Sequence, residues 1–81
     1  MMTERPMMKS THVGNYLAQV FYETERARWR IEVTNVHTDV RVTEWIAAVH
    51  DPVFGIDAED LDHINATADA IVTDMESGEE T

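Results

Sequence analysis

Between Asp57 and Glu76 the apolar residues Leu61, Ile64, Ala68, Ile71 and Met75 step by three, four, three and four. At 3.6 residues per turn that spacing places them on one side of an α-helix, and Ala58, Ala70 and Val72 widen the stripe. The segment therefore predicts a long helix over 58–76, N-capped by Asp57. Such a helix is stable only if its stripe lies on another apolar surface, and that surface has to come from the residues before it.

Two segments there alternate with the period of a strand. In 28–36 (RWRIEVTNV), Trp29, Ile31 and Val33 share one face, while Arg28, Arg30, Glu32 and Thr34 share the other. In 15–24 (NYLAQVFYET), Tyr16, Ala18, Val20 and Tyr22 face one way and Leu17, Gln19, Phe21 and Glu23 the other. The link ETERA joins them as an antiparallel hairpin.

Residues 38–50 carry two readings. VRVTEW reads as a strand with Val40 and Val42 inward. The same stretch also places Val42, Trp45, Ile46 and Val49 at i, i+3, i+4 and i+7, a helical spacing capped from Thr38 or Asp39. The favoured division is a third strand over 38–42, Thr43 as N-cap, and a short helix over 44–50 ended by Asp51-Pro52. Residues 1–14, broken by Pro6 and Gly14, read as a flexible N-terminal tail, and 77–81 as an acidic C-terminal tail. The expected fold is thus a single α+β domain over 15–76, with a small antiparallel sheet of two or three strands packed against one short helix and one long acidic helix. No apolar run approaches the roughly 18 residues of a membrane span, and residues 1–14 lack the apolar stretch of a signal peptide, so a cytoplasmic location without membrane contact is expected.

The charge is divided unevenly. Of 16 acids and 6 basic residues, giving a net charge of −10, residues 1–41 hold every Lys and Arg and only five of the acids. Residues 42–81 hold the other eleven acids and no Lys or Arg. This balance argues against direct binding to nucleic acid. The outward positions of the helix are Glu59, Asp62, Asp69, Asp74 and Glu76, with Asp60 beside them. Asp62 to Asp69 and Asp69 to Glu76 are each about 10.5 Å along the axis. The helix dipole favours the acids of the first turn, by about 0.3–1 kcal/mol each, but opposes Glu76, Glu79 and Glu80 at the other end. No Lys or Arg stands at i+4 to any of them. A line of carboxylates of this kind imitates the charge of a nucleic-acid strand and suits a site that grips phosphates with Lys and Arg. The plain alternatives are a solvated helix face and adaptation to a high-salt cytoplasm.

Other constellations point to no chemistry. Zero cysteines remove thiolate nucleophiles and cysteine zinc sites. His12, His37, His50 and His63 match no zinc spacing, so no metal and no cofactor is expected, and His50 reads as a residue at the C-terminus of the short helix. There is no G-x-S-x-G and no glycine-rich phosphate loop, so no enzyme is expected. Arg26, Arg28 and Arg30 suit pairing with Glu23, Glu25 and Glu32, or with the acidic half of a second copy. Trp45 and Phe54 are the aromatics best placed to anchor a partner.

In size, charge and layout over 15–80, carried by DAEDLDHINATADAIVTDME, the chain resembles the small acidic phage-encoded inhibitors of the anti-CRISPR, DNA-mimic type. The resemblance implies a non-enzymatic inhibitor inside the host cell. It would occupy the Lys/Arg-rich channel of a nucleic-acid-binding protein, such as a CRISPR effector complex, through Glu59, Asp60, Asp62, Asp69, Asp74 and Glu76. The competing reading is a homodimeric structural or assembly module that pairs the Leu61–Met75 stripe with a second copy and uses its acids for solubility or high-salt adaptation.

Overall fold

The computed structural model describes residues 7–79 and has an α+β fold. Four strands, β1 (Met7–Val13), β2 (Tyr16–Glu23), β3 (Arg28–Asn35) and β4 (Arg41–Ala47), form an antiparallel sheet in the order β1-β2-β3-β4. One helix, α1 (Ala58–Glu79), lies across one face of the sheet, mainly over β3.

Strand β1 corrects the expectation of a loose tail over 1–14, of which residues 1–6 lie outside the described residues. Val13 pairs with Tyr16 around Gly14-Asn15, and Gly14 alone of the two has a positive φ, 59°. That is the pattern of a II′ turn, whose twist matches the strands it joins. Between Met7 and Lys9 the register slips, so Met8 is the extra residue of a β-bulge and packs against the core. The ETERA link is a 3₁₀ turn over Thr24–Arg26, closed by Ala27 in the left-handed region at φ 50°. At the next turn Asn35 Oδ1 accepts the amides of His37 and Thr38, and Asp39 takes a φ of 63°.

Of the expected short helix over 44–50, residues 44–47 are strand and 48–50 irregular, and the expected third strand over 38–42 begins only at Arg41. Val42 pairs with Val33 and Ile46 with Trp29, and this cross-strand packing outweighs the i, i+3, i+4 pattern of the same residues. The helix at the C-terminus begins where expected, runs beyond Glu76 to Glu79, and so takes in residues 77–79 of the expected tail.

The core lies between sheet and helix. Trp29, Ile31 and Val33 of β3 have no exposure, Tyr16, Val20 and Tyr22 of β2 flank them, and Ile64 and Ile71 of α1 close the layer. Full burial of side chains of this size contributes about 1.5–3 kcal/mol each. The alternation read from 28–36 is the one observed, and of the two faces of 15–24 the one with Tyr16, Ala18, Val20 and Tyr22 is the covered face. The helix stripe is used up within the chain: Ile64, Ala68, Ile71 and Met75 all pack on the chain's own sheet. It is therefore not the surface by which a second copy would pair.

Candidate functional site

The long axis of α1 sets out the acids. Asp62, Asp69 and Glu76 are seven residues apart, so they form one row that drifts by about 20° per step. All three are exposed, as are Glu59 and Asp74, which lie farther round the solvent side. None of Asp62, Asp69, Asp74 and Glu76 has an ion-pair partner within 4.0 Å among the described residues. The arginines that form ion pairs, Arg28, Arg30 and Arg41, belong instead to β3 and β4, on the sheet face turned away from the helix. Beside the acidic row runs a shallow groove of about 220 Å³ between α1 and the β1–β2 hairpin. Val13, Ala18, Val20, Ile64 and Val72 line it, with Asp69 at the helix wall and Lys9 at the strand wall. Lys9 Nζ donates to Asn65 Oδ1 across the gap at 3.2 Å.

Asp60 stands apart from the other five. It is 1% exposed, and its carboxylate accepts the main-chain N–H groups of Val49 at 3.0 Å and His50 at 2.9 Å. Burial acts to raise its carboxyl, but these two amides, with the Trp29 indole and His50 adding to them, hold it below its ordinary value. A buried carboxylate occupied in this way cannot contact a partner, so the structure removes Asp60 from the contacting set. Its position was available in the sequence: Asp60 stands four residues before Ile64 on the buried side of the wheel, and three after the cap Asp57, where capping-box side chains turn back.

His50 also differs from expectation, because no helix precedes it. Its ring lies at the start of α1, with Nε2 3.1 Å from Glu59 Oε1 and 3.5 Å from Asp57 Oδ2. The bond to Glu59 raises the imidazole above its ordinary value, and the charges of Asp57, Glu59 and Asp60 act the same way against a smaller effect of desolvation. Asp57 in turn accepts the Glu59 amide at 3.2 Å as the helix N-cap. His50, Asp57 and Glu59 could offer three ligand atoms within 4.8 Å of one another, all on exposed residues. Tyr22 donates to Asp51 Oδ1 at 3.0 Å, and burial first, then that carboxylate, push its phenol up.

The uncovered face of the sheet carries a second arrangement that the pairing expected in the hairpin only partly anticipated. Glu23 is buried there at the centre, accepting from Arg28, from Arg30 at 3.4 Å and from the Trp45 indole N–H at 3.2 Å. Arg28 lies 5.1 Å over the Trp45 ring and Arg30 4.4 Å over the Phe21 ring. Arg30 also meets Glu32 at 2.7 Å, and Arg41 meets Glu32 at 3.8 Å. Glu23 and Glu32 thus serve β3 and β4 together, a connection that appears only once Arg41–Ala47 is a strand. Phe54 is fully exposed on the loop before α1, and Trp45 is 47% exposed.

No protein-family model, curated protein or solved structure matches the chain. Among the described residues, no helix is long and apolar enough to cross a membrane.

Proposed function

We propose that the chain is a non-enzymatic acidic inhibitor that binds a Lys/Arg-rich nucleic-acid-binding surface of a partner protein through the exposed face of α1, in the manner of an anti-CRISPR DNA mimic. The observation that carries the reading is the unpaired state of Asp62, Asp69, Asp74 and Glu76 on a helix without Lys or Arg, while Arg28, Arg30 and Arg41 are engaged on the far side of the sheet. Carboxylates left without internal partners keep their full charge for an external guanidinium or ammonium group, where charge-assisted bonds are about twice as strong as neutral ones. The row supplies one carboxylate per 10.5 Å or so, sparser than the phosphates of a strand, so it answers selected Lys and Arg side chains of a channel and not every phosphate position.

The test is a pull-down from host lysate at about 0.1 M salt with the native chain and with the Asp62→Asn/Asp69→Asn/Glu76→Gln variant. Capture of a nucleic-acid-binding protein by the native chain alone, released by duplex DNA or by salt, supports the reading. Equal capture by both chains, or none by either, overturns it.

A further inference from the structure

We propose that the free edge of β4 is a self-association surface, joining β4 to β4 of a second copy in antiparallel fashion about a two-fold axis at Thr43. This edge lies apart from the acidic helix, and its free groups follow from the hydrogen-bond phase of the last strand pair. Asn35 N donates to Val40 O, and Ala48 N donates to Ala27 O, both in the register that pairs Val33 with Val42. Hydrogen-bonded pairs alternate along an antiparallel ladder, so the even residues 40–48 turn their main-chain groups toward β3. Arg41, Thr43, Trp45 and Ala47 therefore turn their N–H and C=O groups outward, and no strand among the described residues receives them.

The two sheet edges differ in their protection. The β1 edge has a bulge between Met7 and Lys9 and a lysine, two devices that discourage edge pairing. The β4 edge has no bulge, proline or lysine, and it exposes Val40 and Trp45 at 53% and 47%.

The sequence of β4 is complementary to itself in one register. With Thr43 opposite Thr43 on the axis, Arg41 lies beside Trp45 of the second copy and Val40 beside Ile46 of the second copy. The Arg41 side chain donates from Nε to Thr34 Oγ1 at 3.3 Å and comes no nearer than 3.8 Å to Glu32, yet it stays 59% exposed, so its outer side is open to a neighbouring indole. Moving the axis to Glu44 sets two carboxylates directly opposite, and moving it to Val42 leaves Trp45 against Asp39, where the left-handed backbone has already ended the strand. Charge and backbone therefore select the Thr43 register and a second copy as the occupant. About six main-chain hydrogen bonds result, continuing the sheet to eight strands. The two-fold axis stands perpendicular to the sheet, so both acidic helices fall on the same side and repel weakly.

The experiment is sedimentation equilibrium of the full chain at concentrations up to the order of 1 mM, since an edge contact is at the small end of stable interfaces. The native chain is expected to approach twice the 9.3 kDa of one chain, more readily as salt screens the two helices. That salt dependence is opposite in sign to the one expected for binding a basic partner. Thr43→Pro removes an outward N–H and none of the β3 ladder, and should weaken association at least about tenfold. Thr43→Lys, which places like charges on the axis without altering the backbone, should do the same if the proline variant fails to fold. A native chain that stays at 9.3 kDa, or a folded Thr43→Lys variant that dimerises as the native chain does, overturns the proposal.

Discussion

Asp60 fastens His50 to α1 by the backbone: its buried carboxylate accepts the His50 main-chain N–H at 2.9 Å, while the His50 ring turns back to the helix to meet Glu59 at 3.1 Å. Consecutive residues of α1 thus grip the same loop residue, one inside through the backbone and the other at the surface through the side chain. The two grips answer differently to substitution and to pH.

Asp60→Ala leaves the part-buried hydrogen bonds from the Val49 and His50 amides without their acceptor. It is expected to cost about 2–3 kcal/mol, and Asp60→Asn less, because one carbonyl oxygen survives. Urea unfolding followed by tryptophan fluorescence checks this, with a lowered midpoint at unchanged slope as the expected result.

In acid, the Asp60 grip fails. A carboxyl whose folded pKa is depressed contributes stability above its unfolded value, and that contribution disappears as the pH falls through the folded value. The urea midpoint should therefore drop below about pH 4. Asp60→Asn should remove this part of the acid dependence while leaving that of the surface acids.

In mild alkali the surface grip loosens. The His50 imidazole is raised in the folded chain, so its contribution is complete below the unfolded value of about 6.5 and is lost as the pH rises through the folded value. Amide exchange in the first turn of α1 should speed up across that rise by more than the intrinsic rate increases. A His50→Gln chain should follow the intrinsic rate alone.

Glu23 accepts from Arg28, Arg30 and Trp45 at once, so Glu23→Ala should cost more than a surface ion pair, about 1–3 kcal/mol. A double-mutant cycle with Trp45→Phe, which removes only the indole donor, should give a coupling energy of about 0.5 kcal/mol or more. Additive losses would contradict the shared carboxylate.

The two sides of α1 should separate cleanly in stability. Ile64→Ala opens a cavity beneath the helix and should cost about 2–5 kcal/mol, whereas Asp69→Asn should stay within about 0.5 kcal/mol of the native chain. A large loss from Asp69→Asn would mean that the acidic row stabilises the fold and is not held in reserve for a partner.

What was legible in the sequence followed from strong periodicity. The alternation of β2 and β3 and the start of α1 could be read because Trp29, Ile31 and Val33 alternate, and Ile64 and Ile71 recur, at spacings that only one kind of element satisfies. β4 was harder because Val42, Trp45 and Ile46 satisfy a strand and a helix alike, and the choice depends on Trp29 and Val33, which lie far away in sequence. β1 was obscured by its bulge, which shifts the alternation by one residue at Met8 and makes a paired strand resemble an aperiodic tail. The exposed acids were visible as charges and the inward side of Asp60 in its spacing to Ile64, but the amides that Asp60 accepts depend on where the loop at Val49 and His50 returns to the helix.

Every strand of the sheet pairs with its neighbour in sequence, and the layer that covers the sheet comes last. During synthesis the β1–β4 meander is therefore complete before α1 has emerged. Short loops allow the hairpins to close quickly, yet the indole of Trp29 and the side chains of Ile31 and Val33 face water until the helix arrives. A truncated chain ending near Asp57 would present an apolar sheet with no cover, a surface prone to aggregation.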